Sequence, residues 1–508
     1  MTAQSAPLQG LVEHHKIIII GSGFSGLGMA IKLKESGESN FIVLEKEQGV
    51  GGTWRVNHYP GCACDVPSHL YSFSFEPNPQ WSRMFAPQQE IKAYLERCAQ
   101  KYDVLPHVRL GVEVSTLRWD EARQLWQIQC ADGRAFTASI VVSGMGGLAI
   151  PAYPNVKGLE NFQGKMFHSQ QWDHDYDLRG KRVAVIGTGA SAIQFVPHAQ
   201  KQAARLDLYQ RTAPWIMSKP DRAMTWLEKN LFQRFPASQR ALRDGIYWAL
   251  ESRVLAFVIN PRIMAIAKRQ ALQHIRKQIS NPELRKKVTP DYTIGCKRIL
   301  MSDEYYPALD SANVDVITDG IREVRANSIV DVNGVEREVD AIIFGTGFKA
   351  ADPVPPGVVF GRNGKDLGDI WQQGPEAYKG TTVAGFPNLF FLMGPNTGLG
   401  HNSMVYMIES QISYVLDALK TMTKKRLLSV EVRQRDQDDY NADIQGRMTG
   451  TVWSSGGCQS WYIHPVSGKN VTLWPGFTWQ FRQQTRRFDV RAYRLNTTTT
   501  ETMNEVSA

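Results

Sequence analysis

Two glycine-rich stretches carry the most explicit chemistry in this chain. The first, KIIIIGSGFSGLGMAIKLKESGESNFIVLEKE over residues 16–47, sets Gly21, Gly23 and Gly26 between four consecutive isoleucines and an amphipathic segment. This is GxGxxG in a strand–turn–helix setting. The first glycine permits the tight turn, the second lets a pyrophosphate approach the backbone, and the third lets the helix pack on the strand. Phosphates then lie at a helix N-terminus, where unpaired N–H groups and the helix dipole favour negative charge. The second stretch, KRVAVIGTGASAIQFVPHA, repeats the pattern with Gly187 and Gly189, and with Ala192 at the tolerated third position.

The two stretches differ where the ribose is read. Glu45 lies 24 residues after Gly21, and Arg211 lies 24 residues after Gly187. A carboxylate suits a free ribose 2′-hydroxyl, and a guanidinium suits a 2′-phosphate through charge-assisted hydrogen bonds. An unmodified adenine dinucleotide is therefore expected at the first site. NADP is expected at the second, with Thr212 adding a hydroxyl contact to the phosphate. Two such sites on one chain suggest a hydride path from NADPH to a flavin, with FAD at the first site. DAIIFGTGF (340–348) and FPNLFFLMGPNTGLGHNS (386–403) are expected to return the chain to that first fold. In the second of these, Asn396 sits in a turn before a helix whose N-terminus can face the flavin.

These sites need a frame, and the composition supplies one. At 508 residues, 43% hydrophobic and 21% charged, the chain has the make-up of a globular protein of several units. Its start has no apolar run suited to a secretory signal, and no window reaches the length of a transmembrane span. The six cysteines lack zinc or redox-pair spacing, so free thiols and a cytoplasmic location are expected. His168 has no second histidine or cysteine at metal spacing, and no metal site is expected. The net charge is +9, much of it in residues 261–287. That run reads as a solvated helical face, since no nucleic-acid-binding module stands beside it.

The stretch FQGKMFHSQQWD, residues 162–173, lies just before the second glycine loop. It matches F-x-G-x-x-x-H-x-x-x-W-(P or D) at Phe162, Gly164, His168, Trp172 and Asp173, and so resembles the fingerprint of the Baeyer–Villiger monooxygenases. GGTWRVNHYPGCACD, residues 51–65, resembles that family's other marker. The resemblance covers about residues 14 to 485. It implies an FAD-dependent enzyme that uses NADPH and O2 to convert small-molecule ketones to esters or lactones through a C4a-peroxyflavin, with sulfoxidation as a side activity. Open-chain aliphatic ketones are the expected substrates. IGCKRIL resembles the family's Lys-Arg pair, which makes Arg298 the expected catalytic arginine and Lys297 a second NADP contact. Asp65 matches the aspartate that hydrogen-bonds that arginine. Thr53, Trp54, Asp65 and Tyr71 are implied as cofactor contacts, and Trp461 as the tryptophan of a loop that folds over the nicotinamide. Where the family commonly has serine near the flavin edge, this chain has Ala149. His168 itself reads as scaffold in a linker between the two nucleotide folds.

The expected fold class is thus α/β, with two Rossmann-like dinucleotide-binding domains and a helical insertion in the second. The FAD-binding domain spans 1–150 and 340–490, the NADP-binding domain 151–218 and 293–339, and the insertion 219–292. A disordered tail is expected over 491–508. In the insertion, Trp226, Trp248 and Phe257 read as packing residues. An N- or S-oxygenating flavin monooxygenase is the nearest rival, but it has tyrosine or phenylalanine at the position of Trp172 and no Lys-Arg pair. A non-catalytic dinucleotide sensor is the rival from another class, and a protein purified without flavin would favour it. No feature of the sequence speaks to oligomeric state.

Overall fold

A computed structural model of the chain describes residues 12–148, 150–349, 354–458 and 460–497. Ala149 and the last eleven residues of the expected tail lie outside the described residues, as do residues 1–11.

The four isoleucines end the strand Glu13–Ile20, and they are buried because both faces of a parallel sheet are covered. This strand pairs in parallel with Phe41–Glu45 on one side and Ala135–Ser143 on the other. The sheet has eight strands, and the chain does return to it late: Val359–Phe360 adds beside Leu117, and Leu389–Phe391 beside Val141–Ser143. A second sheet holds five parallel strands in the order Val314–Ile317, Arg205–Tyr209, Arg182–Ile186, Ala341–Phe344 and Lys165–His168. Each sheet carries one glycine loop, at the C-terminal end of a strand in its interior. Residues 226–288 fold mainly as helices: Trp226–Arg234, Pro236–Glu251, Met264–Gln278 and Pro282–Val288.

Four expectations are corrected here. The strand Ala341–Phe344 belongs to the second sheet, where it pairs with Val183–Ile186, and so it does not return the chain to the first. An apolar run suits the interior of either parallel sheet equally well, and only the pairing decides. FQGKMFHSQQWD is more than a linker, because Lys165–His168 is the edge strand of that second sheet. The tail is ordered through Thr497: Tyr493–Thr497 pairs antiparallel with Leu427–Val432, anchored by buried Tyr493. In the insertion, Phe257 is buried, but Trp226 and Trp248 are 74% and 59% exposed, so neither is a core residue.

Candidate active site

The first glycine loop is built backbone against backbone. Gly21 has φ +91°, and a Cβ placed on Gly26 would lie 1.8 Å from the Gly21 carbonyl oxygen. Gly52, at φ +52°, brings the GGTW segment against the loop, and a Cβ there would meet Gly23 Cα at 2.8 Å. Glu45 is buried at the end of its strand. Its Oε2 accepts from Ser22 N at 2.8 Å and Ser22 Oγ at 2.6 Å, and its Oε1 accepts from Glu47 N at 2.9 Å. Oε1 keeps a further lone pair for a ribose hydroxyl. A glycine-lined bend at a helix N-terminus, flanked by a buried acid, fits an adenine dinucleotide with a free ribose. Next to it Thr53 opens the short helix Thr53–Val56, and Trp54 Nε1 donates to the Tyr71 hydroxyl at 3.1 Å.

The second loop is closed at its first glycine. Gly187 has φ +106° and a Cβ there would meet the Gly345 carbonyl oxygen at 2.5 Å, while a Cβ on Gly189 would meet nothing closer than 3.8 Å. Thr188 Oγ1 donates to the Thr212 carbonyl at 3.1 Å, which ties the loop to the segment after the next strand. The helix Ala192–Gln200 follows, with Ala192 buried against Gly345. Arg211 is exposed at the strand end, and Lys297 faces it. Burial, and then repulsion from Arg211, lower the proton affinity of Lys297. Neither forms an ion pair with a carboxylate among the described residues. Two neighbouring cations, whose repulsion Asp291 offsets only in part, fit the dianionic 2′-phosphate of NADP, whose charge would relieve that repulsion.

Between the two loops stands Arg298. Its Nε donates to Asp65 Oδ2 at 2.9 Å, and Nη2 lies 2.7 Å from the same oxygen in an ion pair. The arginine and aspartate side chains are 34% and 29% exposed, so the pair fixes orientation more than it stabilises the fold. Asp65, more than any other group, holds the guanidinium protonated. The segment leading to Asp65 is pinned from the second fold by Gln194, whose Oε1 accepts from the Tyr59 hydroxyl at 3.0 Å and whose Nε2 donates to the Ala63 carbonyl at 3.0 Å. Asp65 thus stands at a fixed point between the two nucleotide folds.

Several residues lie differently from expectation. Trp461 is 49% exposed and rests on Tyr462 at a ring-centroid distance of 4.6 Å. It is the buried Tyr462 that neighbours Arg298; burial pushes its hydroxyl up to about 12 against the opposing pull of the arginine, so it stays neutral. Tyr462 went unread because tyrosine beside tryptophan in a loop gives no local signal. Asn396 donates both amide hydrogens to the carbonyls of Asn470 at 2.7 Å and Leu473 at 3.0 Å, and so ties its turn to the Trp461 loop. Cys296 and Cys458 are not free thiols, since they form a disulfide across 162 residues of sequence; Cys62, Cys64, Cys98 and Cys130 remain free and buried. The pair has no sequence signature because its members meet only when the Trp461 loop packs on the segment carrying Arg298. His168 is buried, with Nε2 at 3.0 Å from the Gly347 carbonyl and Nδ1 accepting from Gln170 N at 3.1 Å. Both ring nitrogens are engaged by backbone, which is the geometry of scaffold. Trp172 packs edge-on against Phe167, and Asp173 pairs with Lys165. No group of three or more metal-ligating side chains occurs among the described residues.

Two dinucleotide folds joined by an arginine–aspartate pair define a class, the flavin monooxygenases reduced by a nicotinamide cofactor. Residues 14–356 match the flavin-binding monooxygenase-like family. A Baeyer–Villiger monooxygenase of Pseudomonas aeruginosa is 65% identical over 98% of this chain and 94% of its own length. One from Streptomyces coelicolor is 48% identical over 95% and 93%. Among solved structures, cyclohexanone monooxygenase from Rhodococcus sp. Phi1, bound to NADP+, superposes with a TM-score of 0.86 at 25% identity, covering 96% of this chain and all of that one. The chain belongs to the Baeyer–Villiger monooxygenases. It is an oxidoreductase that uses FAD and NADPH, and no helix among its described residues is long and apolar enough to cross a membrane.

Proposed function

We propose that the protein inserts one oxygen atom of O2 beside the carbonyl of open-chain aliphatic ketones, with Arg298 and Asp65 as its catalytic groups and sulfoxidation as a side activity. The observation that carries this reading is the hydrogen-bonded ion pair between Arg298 and one oxygen of Asp65 at the junction of the two folds. Bound FAD supplies the redox chemistry, accepting hydride from NADPH and activating O2. Gly21, Gly23, Gly26, Glu45, Thr53, Trp54 and Tyr71 would hold it. Gly187, Gly189, Ala192, Arg211, Thr212 and Lys297 would hold NADP, with Trp461 over its nicotinamide.

Ester formation builds negative charge on the ketone oxygen as its carbonyl carbon becomes tetrahedral. A fixed cation aimed at that charge is the most effective stabiliser a buried site can offer. Arginine suits the task because it stays protonated where a lysine can lose its proton. Asp65 orients the guanidinium by holding Nε and Nη2 together, which leaves the Nη1 edge for substrate. Tyr462, neutral beside it, lines the pair without adding charge.

This reading includes a cytoplasmic location, where NADPH is replenished. It assigns the insertion to 219–292 and the NADP-binding unit to the remainder of 151–339 together with the strand Ala341–Phe344. The test is NADPH consumption against a panel of linear, cyclic and aromatic ketones, with products identified by mass. Esters from linear ketones at the highest kcat/KM are expected. Preference for cyclic ketones would overturn the substrate class, and N- or S-oxides without esters would overturn the reaction.

A further inference from the structure

The basic run and the two exposed tryptophans of the insertion have no part in the proposed chemistry, yet they converge. From Ser252 to Pro282 the chain holds six lysines and arginines and no acidic residue. Trp248, Leu255 and Ile259 follow one another at helical spacings of seven and four, through the π-helical turn Leu255–Ile259. The chain then bends at Asn260–Pro261 into the helix Met264–Gln278, where Ile263 and Ile266 continue the stripe. All five are exposed; Trp248, Ile259 and Ile266 are 59%, 60% and 64% exposed. Arg262, Ile266, Arg269 and Arg276 share a face by spacing, and none of these three arginines forms an ion pair among the described residues.

The inner side of the same corner is the reverse. Val254, Phe257 and Met264 are buried, and a Cβ on Gly295 would meet Met264 Cε at 2.5 Å and Phe257 Cε1 at 3.3 Å. Gly295 lies three residues before Arg298, so the corner that offers an apolar, basic face to the outside covers the candidate site from within.

We propose that this corner, Trp248 to Arg276, is a docking surface for an anionic lipid bilayer. An apolar stripe of this length left in water is unusual unless it meets a partner. Side chains such as tryptophan, leucine and isoleucine enter the boundary of headgroups and acyl chains, while the arginines beside them pair with anionic headgroups. Charge selects the bilayer over a second copy of this chain, because self-association would press the unpaired Arg262, Arg269 and Arg276 of two copies together. The contact is peripheral, and it brings the candidate site behind the corner close to where apolar ketones concentrate. Only this last consequence rests on the proposed reaction; the docking does not.

The test uses the flavin-loaded full chain with sucrose-filled vesicles, either phosphatidylcholine alone or phosphatidylcholine with an equal part of phosphatidylglycerol. Sedimentation at low salt should carry down at least about tenfold more protein with the anionic vesicles, and the excess should vanish at high salt. Ile259→Ser with Ile266→Ser should weaken retention about tenfold or more. Arg262→Gln with Arg269→Gln should weaken it about fivefold per charge, on anionic vesicles only. All should keep wild-type flavin content and wild-type turnover of a water-soluble ketone. If wild type fails to sediment with anionic vesicles at low salt, or the variants bind as it does, the proposal falls. It falls also if the isoleucine variant instead converts a dimer to a monomer, which would make the face a self-interface.

Discussion

The two glycine loops share a motif and differ in almost everything around it. In the first, glycine faces glycine: a Cβ on Gly26 would lie 1.8 Å from the Gly21 carbonyl, and the acid at the strand end is buried and bonded to the loop. In the second, the third position takes the Ala192 methyl, and just past the strand end exposed Arg211 has Lys297 across from it. A third position with room only for glycine suits a cofactor held tightly against backbone. Two mutually repelling cations suit one that arrives with charge and leaves each cycle.

Substitution of the two loops tests this contrast most severely. Gly26→Ala should yield colourless protein without flavin, because the new methyl group has no room beside Gly21. Gly189→Ala should keep full flavin content and raise the KM for NADPH. Absorbance of the purified variants at flavin wavelengths decides, and equal flavin loss in both would erase the distinction. Next in size is the junction between the folds. Arg298→Ala should leave flavin reduction by NADPH intact while slowing ester formation by about 10²–10³, the cost of one well-placed stabilising donor. Asp65→Ala should slow it less, since the guanidinium remains charged but loses its orientation; stopped-flow reduction with product analysis separates the two steps. Arg211→Ala then sharpens the second loop alone. A lost charge-assisted bond of about 1.5–3 kcal/mol corresponds to about a 10- to 150-fold rise in the KM for NADPH, with little change for NADH. An equal rise for both cofactors would remove the 2′-phosphate from the account. The smallest effect is a count. Denatured but unreduced protein should titrate four thiols, and six after reduction, because two of the six cysteines are paired.

Much of the first loop was legible because its constraints are local. Strand, turn, helix and the acid 24 residues on lie within one supersecondary unit, and each follows from residue type. The strand Ala341–Phe344 was legible as a strand but not as to sheet, since AIIF fits the interior of either one. Arg298 and Asp65 were named through resemblance, yet they are 233 residues apart, and their shared oxygen follows from no spacing. Trp226 and Trp248 misled for the opposite reason: their helical spacing marks an apolar stripe without saying whether protein covers it.

Residue type and short-range spacing alone determined two nucleotide folds and the acid-against-arginine contrast at their ribose ends, and motif resemblance gave the family. These depend on backbone freedom at glycine, on charge, and on periodicities of a few residues. The tertiary structure decided which sheet each late strand joins, that Cys296 meets Cys458, that Tyr462 neighbours Arg298, and that the basic run lies beside an uncovered apolar stripe. Each of these is a contact between segments far apart in sequence, and such contacts depend on how finished elements pack against one another.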